Sequence, residues 1–276
     1  MKHVLLLTAV LLIAATAGAQ DWEGDLLGME AGSLHATLGV TYDSEYIWRG
    51  FKVFGSKSAT HLVGDVDLFE TGFGISAAGH YANGSGYVNW TRYDYTLYYQ
   101  NGLFPDEPYA TNFRVGWVMY DYPDMPSDFA DLQEAHAVLS WPNILPIKGL
   151  CPTYVAAKMW PSKGGSYIGG AASGWFHIFM LDYGFTVQGL LPQMPEHLIR
   201  LHAELVYNDS VNPYGPRRKD REFSHALFGV ATDLELGNNL TLTPAVYYQR
   251  ALDTGLEWFN DGADELWASV GLKYSF

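Results

Sequence analysis

The chain has 276 residues, of which 48% are hydrophobic and 15% aromatic, and its formal net charge at pH 7 is −14. This acidic balance argues against nucleic-acid binding, because that function needs a basic surface to neutralise phosphates. Cys151 is the only cysteine in the sequence, which excludes an intramolecular disulfide.

The N-terminal residues have the pattern of a secretory signal peptide. Lys2 is followed by an apolar run from Val4 to Ala15 and by small residues at positions 17–19. The run is too short to span a bilayer as a helix, and the Ala17-x-Ala19 pattern is typical of a cleavage site. We predict that residues 1–19 are removed on export. Residues 20–32 are then a short periplasmic lead, and residues 33–276 form one domain.

The rest of the chain alternates between apolar and polar residues with a period of two, the period of a β-strand. No apolar stretch of about 18 residues follows the predicted cleavage site, so a transmembrane helix is not expected. The alternation predicts about twelve strands, within a range of ten to fourteen. In chain order they are Ser33–Asp43, Ala59–Phe69, Phe73–Ala82, Tyr87–Gln100, Thr111–Asp121, Asp131–Trp141, Gly149–Trp160, Gly174–Gln188, His197–Asn208, Phe223–Leu236, Leu240–Arg250 and Leu266–Phe276.

These strands favour a bacterial outer-membrane barrel. Their connections alternate between long polar loops and shorter turns, as in transmembrane barrels, and a bilayer tolerates no open sheet edge. We predict an all-β fold, a transmembrane antiparallel up-and-down β-barrel, in the cell outer membrane. A soluble sandwich or a lipocalin-like barrel would also alternate. However, the polar rows carry ionisable groups in nearly every strand, and the apolar rows have aromatic residues near their ends, which favours the membrane barrel.

The last strand ends in a Gly-x-x-aromatic-x-aromatic pattern. Gly271, Tyr274 and Phe276 form this pattern, which resembles the C-terminal signal by which outer-membrane barrels are recognised for insertion. The expected partners are therefore outer-membrane lipid and, during insertion, the barrel-assembly machinery and periplasmic chaperones.

If the polar rows face inward, ionisable residues line the lumen. The predicted pore-lining residues are Arg49, Asp65, Asp67, His80, Arg92, Asp94, Arg114, Glu134, His136, Lys158, Asp182, Arg200, His202, Glu204, Asp233, Glu235 and Lys273. Charges inside a membrane protein are costly unless they face water or one another. They can therefore pair and fill the interior, or line a water-filled path that selects solutes by charge. Twelve strands lie between filled eight-stranded barrels and sixteen-stranded porins, so size leaves both interpretations open.

The inward rows contain histidines, which are common metal ligands. They are His35, His61, His80, His136, His202 and His225. They lie on different strands without metal-ligand spacing, so we predict hydrogen bonds to carboxylates, and no metal and no cofactor.

An enzymatic barrel is the least favoured class. The run from His80 to Gly84 is similar to the His-x-Ser-Asn-Gly run of outer-membrane phospholipases, but Ala82 stands at the position of the nucleophile. Without a hydroxyl beside a base, acyl transfer has no nucleophile. We predict that the chain is not an enzyme, with an outer-membrane lipid hydrolase as the weakest alternative.

The run VTYDSEYIWRGF from Val40 to Phe51 resembles the opening of the TorF-type porin family, in which the first strand leads into a Thr-Ser-x-Tyr-x-x-Arg-Gly turn. Tyr46, Trp48, Arg49 and Gly50 match that turn, and Gly64 to Leu68 resembles the Gly-x-x-Asp strand that follows it. The resemblance implies an outer-membrane barrel with a transport role, a substrate that is not established, and no catalytic residue.

The Arg49-Gly50 pair also predicts the conformation of the first loop. Arg49 beside Gly50 indicates a first loop that folds into the barrel mouth, with the guanidinium reaching a carboxylate such as Asp65 or Asp67. A local turn with an exposed Arg49 is the alternative.

The function predicted is passive, porin-like passage of small hydrophilic solutes through a narrow charged lumen. Its rival is a closed structural or surface-interaction barrel that acts through its extracellular loops.

Overall fold

The computed structural model describes residues 34–163, 172–191, 194–212, 221–253 and 264–276. Within these ranges twelve strands form a closed antiparallel barrel, which confirms the predicted fold and strand number. The predicted signal peptide, the predicted lead and parts of three long loops lie outside the described residues. In the described part of the chain, no helix has the length and hydrophobicity to cross a membrane.

The strands follow the predicted bounds within three residues, except that the strand predicted to begin at Tyr87 begins at Arg92, because Val88–Trp90 form a 3-10 turn. The barrel strands are β1 (His35–Asp43), β4 (Ala59–Asp67), β5 (Phe73–Ala82), β6 (Arg92–Leu103), β7 (Thr111–Asp121), β8 (Leu132–Ser140), β9 (Leu150–Pro161), β10 (Gly174–Leu191), β11 (Met194–Asp209), β12 (Arg221–Gly237), β13 (Leu240–Ala251) and β14 (Glu265–Ser275). The first loop contains β2 (Ile47–Trp48) and β3 (Phe51–Lys52), and a 3-10 turn spans Val88–Trp90. Strands adjacent in sequence are neighbours in the wall, and β1 pairs with β14 to close it.

The period of two separates an outer face from a lumen. Leu97 on β6 is 53% exposed and, like Trp117 on β7, belongs to the outer row. Thr96 and Val118 belong to the inner row and line an internal cavity. The first and last described residues, Leu34 and Phe276, lie at the same end of the barrel, which we call the terminal end. The first loop lies at the opposite end, which we call the loop end.

On β9 the two rows are opposite to the prediction. Val155, Ala157 and Met159 are buried in the interior, whereas Lys158 lies on the outer face with its Nζ 5.4 Å from the ring centre of the exposed Trp175. Lys158 was predicted to line the pore, and this prediction is wrong. The physical reason is that the lumen beside β9 is filled with apolar side chains, so the apolar row of this strand packs inward.

The seam between β1 and β14 is sealed at the terminal end by the last residues. The Phe276 amide donates a hydrogen bond to the Ala36 carbonyl at 2.9 Å, and Phe276 packs against the buried outer-face cluster of Ala36 and Val66. The Tyr274 and Phe276 rings meet edge to face with centroids 4.7 Å apart. These contacts give the C-terminal aromatic residues a structural role, and their role as an insertion signal stays a prediction.

Arginine on the outer face should destabilise the barrel more than arginine in the lumen. For Leu97→Arg we expect a loss of about 2–4 kcal/mol, the cost of Arg near the bilayer midplane. Thr96→Arg, one residue away but facing the lumen, should cost much less. Urea titration of the folded fraction in phospholipid vesicles measures both, and equal losses would contradict the assignment of the two faces.

Candidate functional site

The first loop, residues 44–58, forms a hairpin inside the barrel. Its strands β2 and β3 are joined by Arg49 and Gly50, whose φ angles are 54° and 85°. Positive φ at both central residues is the requirement of a type I′ turn, whose twist suits a two-residue hairpin. The Arg-Gly pair noted in the sequence is therefore the turn that closes this hairpin.

Apolar residues of the hairpin fill the lumen at the loop end. Tyr46, Phe51, Val53 and Phe54 are all buried. They belong to one cluster with inward residues of the wall, among them Val118, Tyr120, Leu132, Val155, Ala157, Met159, Phe176, Ile178 and Val206. Burial of a large apolar side chain contributes about 1.5–3 kcal/mol. This cluster therefore supplies a strong driving force for the hairpin to stay inside the barrel.

The hairpin tip is fixed to β8 by an ion pair. The Nη2 atom of Arg49 lies 2.9 Å from both carboxylate oxygens of Glu134, and the Tyr120 hydroxyl donates to Glu134 at 3.0 Å. The Glu134 side chain is only 2% exposed and that of Arg49 18%. Arg49 thus enters the lumen as predicted. Its partner, however, is Glu134 on β8 and not the expected Asp65 or Asp67 on β4, because the hairpin carries the guanidinium across the lumen to β8.

Further polar contacts hold the hairpin to several strands. Arg92 on β6 donates to the Tyr46 hydroxyl at 2.8 Å and lies 4.3 Å from the ring centre of Trp48. Lys52 lies 2.8 Å from a carboxylate oxygen of Glu265 on β14. On β13, the Gln249 amide donates to the carbonyl of Gly50 at 3.3 Å. The hairpin is therefore attached on opposite sides of the lumen.

Each inward histidine lies beside a carboxylate. The pairs are His35–Glu70, His61–Asp43, His80–Asp94, His136–Glu134, His202–Asp182 and His225–Glu204, with N–O distances of 3.4, 3.1, 3.0, 3.4, 2.7 and 3.7 Å. The carboxylate contacts expected from the sequence are thus present. Among the described residues there is no group of three or more side chains with the arrangement of a metal site.

The terminal half of the lumen is polar and partly open. On the wall formed by β4 to β7, the Tyr98 hydroxyl donates to Asp65 at 2.9 Å, and the Arg114 guanidinium lies 3.5 Å from the Tyr98 ring centre. On the opposite wall, Asp182 and Arg200 have side chains 48% and 47% exposed. The interior is therefore filled near the hairpin but accessible to water below it.

Of the strand residues that were predicted to line the pore, all but Lys158 face the lumen in the observed strand register. They are Asp65, Asp67, His80, Arg92, Asp94, Arg114, Glu134, His136, Asp182, Arg200, His202, Glu204, Asp233, Glu235 and Lys273. Arg49 joins them through the hairpin, and Lys158 does not. Gly271 also lies on the inner row, whereas Tyr274 lies on the outer one.

Two cavities flank the lumen below the hairpin. One of about 340 Å³ lies against Arg49 and Glu134 and extends to His80, Asp94 and Thr96. The other, of about 540 Å³, lies against Asp182, Arg200 and Tyr247. Together they provide space for small solutes beside and below the hairpin.

Sequence reasoning missed several aromatic side chains of this site. Tyr46, Phe51 and Phe54 form the apolar side of the hairpin, and Tyr98 and Tyr247 lie on the inner wall. The available signal was an aromatic residue on an otherwise polar row. Tyr247 shows this signal, since it shares its row with Thr241, Thr243 and Gln249.

Comparison with known proteins supports the fold. No family model matches the chain, and no curated protein matches it. Among solved structures it is similar to the "KdgM porin", with 12% identity, a TM-score of 0.52, and coverage of 87% of this chain and 99% of that one. A structure described as "KdgM porin in complex with disordered oligogalacturonate" gives the same values. The NanC porin shows 11% identity, a TM-score of 0.50, and coverage of 87% and 98%. The fold is thus that of a porin-like outer-membrane barrel.

Loss of Arg49 should release the hairpin tip. In Arg49→Met the buried Glu134 loses its cation, and breaking one side of a buried ion pair costs about 3–5 kcal/mol. We expect faster amide hydrogen exchange in residues 45–54, measured by mass spectrometry in detergent micelles. The double variant Arg49→Met/Glu134→Gln should regain most of the protection.

The matched control is Arg221→Met, which breaks the ion pair of an arginine that is 72% exposed, and it should leave the hairpin protected. If the effects of Arg49→Met and Glu134→Gln simply add in the double variant, the ion pair does not couple the hairpin to β8.

Proposed function

We propose that this chain is an outer-membrane channel for small hydrophilic solutes whose passage is limited by the first-loop hairpin. The observation that carries the proposal is the partial exposure of charged side chains, such as Asp182 and Arg200, on the inner wall. Charged groups that only filled a closed barrel would exclude water. Asp182 and Arg200 are paired with His202 and Asp233, yet about half of each side chain remains exposed to space on the terminal side of the hairpin.

The hairpin also supports the rival function, a closed barrel that acts through its loops. Its buried aromatic residues and the Arg49–Glu134 pair leave little open section at the loop end. We favour the channel because the two cavities beside and below the hairpin continue the polar lumen toward it. On this proposal the hairpin sets the narrowest point of the path.

The charge of the lumen favours cations over anions. Acidic side chains outnumber basic ones among the described lumen residues. The acidic ones are Asp43, Asp65, Asp67, Asp94, Glu134, Asp182, Glu204, Asp233, Glu235 and Glu265, and the basic ones are Arg49, Lys52, Arg92, Arg114, Arg200 and Lys273. Rings of carboxylates select cations. The oligogalacturonate named for the KdgM complex is an acidic saccharide, and this charge balance argues against the same solute class here.

The remaining parts of the proposal come from the sequence. Residues 1–19 act as a signal peptide, the barrel belongs to the cell outer membrane, and the resemblance of residues 38–79 to TorF-type porins supports a transport role. Insertion involves the barrel-assembly machinery and chaperones, with Gly271, Tyr274 and Phe276 as the signal. A catalytic function is not proposed, because the named structural neighbours are porins and Ala82 provides no nucleophile.

Removal of the hairpin should widen the channel. We expect the wild-type protein to give small discrete conductance steps in planar bilayers. Replacement of residues 44–58 by a short Gly-Ser linker should increase the step size several-fold, because the buried cluster that fills the loop end is lost. Wild-type and truncated proteins that both give no steps would support the closed barrel instead.

Two lysines provide a matched test of charge selectivity. The reversal potential in a KCl gradient should show cation preference, and Lys273→Gln should increase it because Lys273 faces the lumen. Lys158→Gln should leave it unchanged because Lys158 lies on the outer face. Anion preference in the wild type, or equal effects of the two variants, would contradict the proposed lumen.

A further inference from the structure

The geometry points to a binding subsite for neutral saccharides on the lumen wall formed by β10 to β13. We propose that the Tyr247 ring forms its aromatic surface and that Asp182, Arg200 and His202 form its polar edge. This inference deepens the proposed channel function, because it names the class of solute that the lumen would recognise.

Small residues form part of the wall of this subsite. Gly184 on β10 and Gly229 and Ala231 on β12 line the cavity of about 540 Å³. Gly184 and Ala231 place no large side chain in the cavity, which Leu198 and Leu227 also line. Ligand sites are typically cavities of this size with a few convergent polar groups.

The Tyr247 ring packs over Gly229 of this wall. A Cβ atom added to Gly229 would lie 2.7 Å from Cδ1 and Cε1 of the Tyr247 ring, so the glycine makes room for the ring. The buried Trp267 on β14 stacks with the Tyr247 ring and supports it, with the ring centroids 5.4 Å apart and the planes inclined by 25°. Aromatic faces offer large, rigid contact area to apolar surfaces, and the C–H face of a sugar ring is such a surface.

The polar groups beside the aromatic surface are already oriented. His202 Nδ1 lies 2.7 Å from Asp182 Oδ1, and Arg200 Nη2 donates to Asp233 at 2.8 Å. The Thr243 hydroxyl donates to the same oxygen of Asp233 at 2.6 Å. Arginine has five N–H donors and a carboxylate has several acceptor sites, so both keep capacity for a ligand. Sugar hydroxyls, which donate and accept, match this mixture.

The charges decide between classes of solute. Arg200 is paired with Asp233, and Asp182 lies nearby, so the wall offers no uncompensated cation for an acidic solute. An apolar solute would desolvate these charged groups without replacing their hydrogen bonds, which is unfavourable. A neutral polyhydroxylated molecule satisfies both the polar edge and the aromatic surface.

Isothermal titration calorimetry of the detergent-solubilised protein with maltotriose tests the subsite directly. We expect saturable binding that Tyr247→Ala weakens by about tenfold, which corresponds to about 1.4 kcal/mol. Tyr248→Ala, at the neighbouring position on the outer row of β13, is the matched control and should bind like the wild type. Trigalacturonate, an acidic trisaccharide, and a polyethylene glycol of similar size should bind much more weakly.

The proposal is overturned if maltotriose does not bind, if trigalacturonate or the glycol polymer binds equally well, or if the two tyrosine variants behave alike. Heat-dependent gel mobility checks that each variant is folded, and Tyr247→Leu replaces Tyr247→Ala if the latter does not fold. Calorimetry needs no conduction. Binding without conductance steps would therefore refute the channel but not the subsite, and steps without binding would do the reverse.

Discussion

Closure of the sheet between β1 and β14 is the constraint on which the other features depend. Once the first and last strands pair, every inward residue borders one enclosed space, and every outward residue must suit the surroundings of the barrel. The strand period of two then fixes each side chain to one of these environments. What remains variable is the content of the enclosed space, and it differs between the two ends of this barrel.

At the loop end the content is apolar and supplied by the chain itself. Phe51 and Phe54 of the hairpin need apolar neighbours, and β9 provides them by turning Val155 and Met159 inward. At the terminal end the inward residues are charged and partly exposed, as at Arg114 and Asp182. One wall thus changes from a packed core to a wet surface along its length.

The strands could be predicted from the sequence because alternation is a local property of each segment. Lys158 was misplaced because β9 is apolar on its inner row, and nothing local to β9 shows that a loop about a hundred residues earlier fills the lumen beside it. The same limit applies to Arg49: the local Arg-Gly pair predicted a turn, but its partner Glu134 depends on how far the hairpin crosses the barrel. Contacts between distant elements are three-dimensional information that a periodic pattern does not contain.

The polar contacts of the hairpin are better understood as determinants of position than as sources of stability. A buried ion pair gains little net free energy, because desolvation of both charges offsets their attraction, whereas a misplaced partner leaves a buried charge unpaired. With Arg49 on Glu134 and Lys52 on Glu265, a shift of the hairpin toward either wall would break one pair. The aromatic residues therefore supply the driving force for entry into the lumen, and the charges select one placement. A placement selected in this way is a property of the folded protein that can define a constant channel width, which a loosely packed loop could not do.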